Sequence, residues 1–146
     1  MNALNYPLVD ALANTSDADN RGVARRVESS ALTSGQLLER AIIPYTDGAN
    51  RHLVDSFREL RTRLLAISND NFITLVAPVS PGCGASFVAR NLAVAMTFDQ
   101  SKTALLIDCN LRQPSQHMSM RIDASSGGLV NYLEDADSDV ATMLYD

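Results

Sequence analysis

The residues whose types and spacing suit chemistry are Ser80-Pro81-Gly82-Cys83-Gly84-Ala85-Ser86 and, further along, Asp108. Two glycines let a backbone turn its N–H groups toward one point, and a helix starting just after them adds the positive end of its dipole, so the chemistry indicated is phosphate binding. The full pattern for that task, G-x-x-x-x-G-K-[ST], is met in part. Gly84 stands at the second glycine and Ser86 at the hydroxyl that binds Mg²⁺, whereas Val79 stands at the first glycine and Ala85 at the lysine. That lysine is the charge that reaches the β- and γ-phosphates. What is left is a cradle of backbone N–H groups at Gly82, Cys83, Gly84, Ala85 and Ser86, without its mobile cation. The same stretch also fits a tight turn between a core strand and a core helix, with no ligand.

The elements that must position these residues are legible on either side. Phe72 to Ala77 is a short apolar run rich in β-branched residues, sized for one strand. A helix is expected from about Ala85 to Phe98, small and apolar along its length (Ala89, Leu92, Ala93, Ala95, Met96), followed by a turn at Asp99-Gln100-Ser101. Thr103 to Asp108 then reads as a second buried strand ending in a carboxylate. Two such strands joined by a helix make a βαβ unit, with parallel strands and a right-handed crossover. In sheets of this kind ligands gather at the carboxyl ends of the strands, which puts the Gly82–Ser86 loop and Asp108 at one edge.

The chain has 146 residues, 46% of them hydrophobic, enough for one domain with a core. Its net charge of −5 argues against a general nucleic-acid binder. Eight of the twelve basic residues, all arginine, lie between Arg21 and Arg63, while Glu134 to Asp146 carries five acids and no base. An arginine-rich front half suits an acidic partner or an anionic membrane surface, and equally a solvated face. Two cysteines, Cys83 and Cys109, form neither a C-x-x-C motif nor a zinc spacing, and read as small packing residues before a redox pair. His52 and His117 are too few for a metal site, and no nucleophile elbow supports a triad of Ser86, His117 and Asp108. No apolar run approaches the roughly 20 residues of a membrane span and no signal pattern opens the chain, so a cytoplasmic protein is expected.

Residues 1–48 read as a flexible segment, polar and with little periodicity, although Thr33 or Ser34 can cap a short helix reaching about Ala41 before a loop at Pro44 and Thr46-Asp47-Gly48. From about Asn50 to Ile67 the spacing predicts a helix, with Leu53, Phe57, Leu60, Leu64 and Ile67 as its apolar stripe. Asp55, Arg58 and Arg61 fall three apart and line one side of it, as an intrahelical ion-pair row or as an intermolecular contact. After the second strand, Asn110 to Pro114 is a loop, Ser125-Ser126-Gly127-Gly128 a turn, and Leu129, Tyr132 and Leu133 open a short helix.

In this order the pieces resemble the bacterial tyrosine autokinases of polysaccharide synthesis and export, deviant relatives of the phosphate-loop ATPases. SFRELRTRL (Ser56 to Leu64) with Asp55 is similar to that family's E-x-x-R-x-x-R helix, with aspartate for glutamate. SPGCGASFVARNLA (Ser80 to Ala93) resembles P-G-x-G-K-S-x-x-x-x-N-L-A, LLIDCNLRQPSQH (Leu105 to His117) resembles L-L-I-D-x-D-L-R-x-P-x-x-H, and GLVNYL (Gly128 to Leu133) resembles G-L-x-x-x-L. The resemblance spans roughly Asn50 to Asp146. It implies an α/β fold with a parallel sheet of the phosphate-loop ATPase kind and flanking helices, here truncated or incomplete, occupying residues 49–146. It also implies an interface role for Asp55, Arg58 and Arg61, phosphate or nucleotide contacts at Gly82, Cys83, Gly84, Ala85 and Ser86, metal contacts at Ser86 and Asp108, and a catalytic role for Asp108.

The departures shape what activity is expected. Ala85 replaces the phosphate lysine, Asn110 replaces the second aspartate of D-x-D, and only Tyr132 and Tyr145 follow the loop where the family carries a tyrosine-rich tail. Phosphoryl transfer rests on charge neutralisation and positioning, and both are reduced. The expectation is therefore a degenerate, kinase-like regulator or scaffold with weak or absent binding of ATP, ADP and Mg²⁺. Its expected partner is a membrane polysaccharide co-polymerase, a kinase paralogue or a second copy of itself, at the inner face of the membrane. One alternative is an active tyrosine autokinase in which an arginine such as Arg112 replaces the lysine. Another is a partition-type positioning ATPase, disfavoured because the additional lysine of that group's loop is Ser80 here.

Overall fold

A computed structural model of the chain describes residues 32–46, 48–67, 71–99, 102–135 and 139–145. Most of the segment expected to be flexible, residues 1–31, lies outside them. Among these described residues five helices appear in chain order: α1 (Ser34–Glu39), α2 (Arg51–Ile67), α3 (Ala85–Met96), α4 (Gln116–Met120) and α5 (Leu129–Glu134), with 3₁₀ turns at Gly48–Asn50 and Val140–Met143.

The start of α1 is set by a reciprocal cap. Thr33 Oγ1 accepts the Gln36 N–H at 3.3 Å, and Gln36 Oε1 accepts the Thr33 N–H at 2.9 Å. Ala41, at φ 52°, then reverses the chain, and the Ile42 N–H bonds back to the Leu37 carbonyl. Residues 42–44 run inward, with Ile42, Ile43 and Pro44 all buried. The 3₁₀ turn leads directly into α2.

The apolar stripe of α2 is rotated from the one expected. Val54 and Phe57 are buried and Leu60 and Leu64 pack beside them, whereas Leu53 and Ile67 are exposed, Ile67 by 80%. The reason is that among the described residues α2 packs mainly on α3, whose inward face is Leu92, Ala95 and their neighbours. A stripe through Val54 and Phe57 covers that face, so both ends of the predicted stripe swing out. Ile43, Val54, Phe57, Leu92 and Ala95 form the core, flanked by Tyr45, Phe87, Val88 and Met96. Two edge-on ring pairs close it, Tyr45 with Phe98 at 4.2 Å and Phe57 with Phe87 at 6.3 Å.

Helix α3 starts where expected and ends two residues early, Thr97 and Phe98 forming a turn. The runs 72–77 and 103–108 that flank it are neither helical nor paired in a ladder among the described residues. Ile73 is 85% and Leu75 82% exposed, and Leu105 and Ile107 are also exposed.

Candidate functional site

The glycine loop has the backbone conformation its residues predict. Gly82 sits at φ 75° and Gly84 at φ 88°, in the left-handed region that side chains other than glycine rarely enter. Gly84 is also the N-cap of α3 and offers no side-chain acceptor, so the N–H groups of the first turn of α3 go uncapped by any side chain. Within the loop the Cys83 N–H donates to the Ser80 carbonyl at 3.3 Å. Cys83 is exposed, and hydrogen bonding with the backbone at Ser80, then Val79 and Ala85, pulls its thiol below the usual range. Ala85 is half-buried and Ser86 exposed, both in that uncapped turn. No residue from Val79 to Ser86 carries a charge.

Asp108 is engaged on both oxygens. Its Oδ2 accepts the N–H of Ser115 at 2.8 Å and of Gln116 at 3.0 Å, and its Oδ1 accepts the N–H of Asn110 at 3.0 Å. Residues 109–116 thus fold back around the carboxylate, which satisfies the otherwise orphaned start of α4. Partial burial pushes the carboxyl up, but the N–H groups of Gln116, Ser115 and Asn110, helped by the charge of His117, hold it below the ordinary aspartate range. Asn110 stabilises the turn that follows, its Oδ1 accepting the Gln113 N–H at 3.3 Å.

Ser86 and Asp108 are linked through a residue that motif reading does not single out. Gln116 gives its backbone N–H to Asp108 and its side-chain amide to the Ser86 carbonyl at 3.1 Å. Its Oε1 accepts from Arg90 Nε at 2.9 Å, and Arg90 Nη1 donates to the Arg40 carbonyl at 2.9 Å. Arg90 is only 3% exposed and burial lowers its pKa from the usual arginine range. A sequence signal for this network exists: Arg90-Asn91 is a polar pair inside an otherwise small and apolar helix.

The α2 line divides. Asp55 and Arg58 pair at 3.4 Å on the exposed surface, joined there by the Glu59–Arg63 pair. Arg61 leans inward to Asp99 at 3.9 Å, and its Nε is buried without a hydrogen-bond partner among the described residues. A cavity of about 250 Å³ lined by Leu38, Ile42, Ile43, Leu53 and Phe87 contains none of the predicted site residues. The fit to a nucleotide with Mg²⁺ is partial: Gly82 and Gly84 keep their left-handed conformations, but the Cys83 N–H is taken by the Ser80 carbonyl, the lysine is absent, and Asp108 is held by amides. Among the described residues no three acidic, histidine or cysteine side chains cluster as a metal site would need, and no helix is long and apolar enough to cross a membrane.

The chain is similar to two bacterial proteins named as tyrosine-protein kinases, the class its four motifs resemble. One relative is the tyrosine-protein kinase YwqD of Bacillus subtilis (strain 168), 30% identical over 95 residues, which are 64% of this chain and 39% of that protein. Another is EpsB of Ralstonia nicotianae (strain ATCC BAA-1114 / GMI1000), assigned as a tyrosine-protein kinase, 36% identical over 77 residues, which are 51% of this chain and 10% of that protein. The matched part of the chain thus covers well under half the length of either relative. No family profile matches the chain, and no solved structure does.

Proposed function

We propose that this chain is a kinase-related regulator or scaffold in exopolysaccharide or capsule synthesis and export, in which the phosphate loop persists as a fold element and nucleotide binding is weak or absent. The observation that carries this reading is the state of the two site halves. The loop keeps its glycine conformations but presents Ala85 where the charge belongs, and the Asp108 carboxylate is spent on three backbone N–H groups. A transferring phosphoryl group would gain orientation from the loop amides and little charge neutralisation from side chains. The relatives' tyrosine-kinase names support the ancestry, and the changed residues support the loss of activity.

In this reading 72–77 and 103–108 are the first strands of a parallel sheet with flanking helices, completed by pairing beyond these two runs. The exposed Asp55–Arg58 face of α2, with Arg61 at its inner margin, is the contact for a membrane polysaccharide co-polymerase, a kinase paralogue or a second copy. That contact would hold the protein at the cytoplasmic side of the membrane.

Calorimetric titration with Mg-ADP and Mg-ATP tests the reading, with Ala85→Lys titrated beside the wild type. No heat from the wild type together with binding by Ala85→Lys supports a disabled site. Micromolar binding by the wild type, followed by phosphate incorporation at its own or a partner's tyrosines, replaces the scaffold with an active kinase. Silence from both proteins removes the nucleotide site altogether.

A further inference from the structure

Arg90 is a buried guanidinium that pairs with no carboxylate among the described residues. Its side chain donates to the side-chain oxygen of Gln116 and to the carbonyl of Arg40. Burying such a charge against neutral acceptors is unfavourable unless the geometry is tightly satisfied. Gln116, itself 7% exposed, makes three hydrogen bonds that join two segments, one to Asp108 and two to α3 at Ser86 and Arg90. A glutamine needed only to fill space would not serve a carboxylate on one segment and both a carbonyl and a guanidinium on the other. Removing it frees the carbonyl of Ser86 and the Nε of Arg90 at once.

We propose that Arg90 and Gln116 are positioning residues, a buried clasp that fixes the loop beginning at Asp108 against the glycine-loop end of α3. The clasp sets where Asp108 stands relative to Ser86, and through the Arg40 carbonyl it extends that order to the end of α1. Its importance for ligand binding rests on the reading of the glycine loop as a nucleotide site; its importance for loop geometry does not.

The chain supplies its own probes. It has two cysteines, both exposed, one inside the glycine loop (Cys83) and one immediately after Asp108 (Cys109). Nitroxide labels on both report the separation of the two loops by their dipolar coupling. The wild type is expected to give one narrow distance distribution, and so is Thr142→Ala, which removes a remote surface hydroxyl bond. Gln116→Met and Arg90→Lys are expected to lose the single narrow peak, although both remain helical by circular dichroism. Gln116→Glu keeps an acceptor for Arg90 but cannot donate to Ser86, and should fall between. A residue that only added stability would shift the melting temperature and leave the distribution of the folded protein unchanged. A folded Gln116→Met with the wild-type distribution overturns the proposal; if that variant does not fold, Gln116→Glu decides in the same way.

Unlabelled protein separates the two layers. If Ala85→Lys binds Mg-ADP, adding Gln116→Met should weaken binding about tenfold or more, the scale seen when outer-shell partners of a site are removed. Equal binding by the double variant overturns the positioning role toward ligand. If Ala85→Lys binds nothing, the nucleotide reading fails, and the label distances still decide the clasp.

Discussion

Asn91 accepts the Ile43 N–H on its Oδ1 at 2.8 Å, a bond between α3 and a segment 48 residues earlier. The same side chain donates its Nδ2 to the carbonyls of Ala41 and Phe87 at 3.0 and 2.9 Å, and it is fully buried. It therefore satisfies the Ile43 N–H and the Ala41 carbonyl of the inward-turning segment, while the Ala41 and Ile42 N–H groups bond back to α1. Asn91→Ala leaves an N–H and a carbonyl unpaired and opens a small cavity. The expected loss is about 2–4 kcal/mol of stability, from unmet buried polar groups plus lost packing. Urea denaturation measures it, and an unchanged midpoint would show that the 41–43 segment is not held by this residue.

Asp108 makes a pH-dependent contribution whose sign follows from its lowered pKa. An unfolded aspartate titrates near pH 3.9. Between that value and the lower folded one, the unfolded chain binds more protons, so stability rises with pH across this window. The contribution is complete above about pH 4 and is lost as pH falls through the folded value. Asp108→Asn cannot accept on both sides and should lose about 1–3 kcal/mol at neutral pH, the range for hydrogen bonds to a charged group. Its stability should also change less than the wild type's between about pH 4.5 and pH 3. Parallel slopes for the two proteins would refute the carboxylate's role in closing the 109–116 loop.

The parts of this molecule that could be read from sequence are those decided by neighbours along the chain. The glycine loop, the start of α3 and the Thr33 cap follow from local residue types, because positive φ and capping bonds are local needs. The Asp55–Arg58 pair is local in the same sense. The face of α2 differs from the expected stripe at Leu53 and Ile67, because a period of 3.6 residues admits a second stripe and the packing against α3 chooses between them. Arg61 left the predicted line because Asp99, 38 positions on, attracts it. Gln116 and Arg90 were not singled out, since nothing in their own spacing says that residues 26 apart share a hydrogen bond. Asp108 was found as a special carboxylate, but which groups it would serve depended on how the loop after it folded back.

Two glycines give opposite expectations on open ground. A Cβ added at Gly35 or at Gly84 meets nothing within 4 Å, so neither change is decided by crowding. Gly35 lies within α1 in helical conformation, where alanine is favoured by up to about 1 kcal/mol. Gly84 sits at φ 88°, where an L-residue pays roughly 1–2 kcal/mol of backbone strain. Gly35→Ala should therefore raise the melting temperature and Gly84→Ala lower it. A matched response of the two variants would mean that the loop relaxes out of its left-handed turn.

The runs 72–77 and 103–108 carry the last prediction. Ile73 and Leu75 lie on the same side by strand alternation, and both are more than four-fifths exposed. Leu105 and Ile107 alternate in the same way on the second run and are about half exposed, 59% and 46%. Backbone groups that join no ladder, beside apolar side chains in water, make a template for pairing with another strand. The protein alone should therefore bind an apolar dye and associate as its concentration rises, with the sedimentation coefficient climbing in step. Replacing Ile73 and Leu75 by lysine adds charge to one run and leaves the α2–α3 core untouched. That double variant should sediment as a monomer at concentrations where the wild type associates, with the same helical content. If both proteins sediment alike, association through this run is excluded.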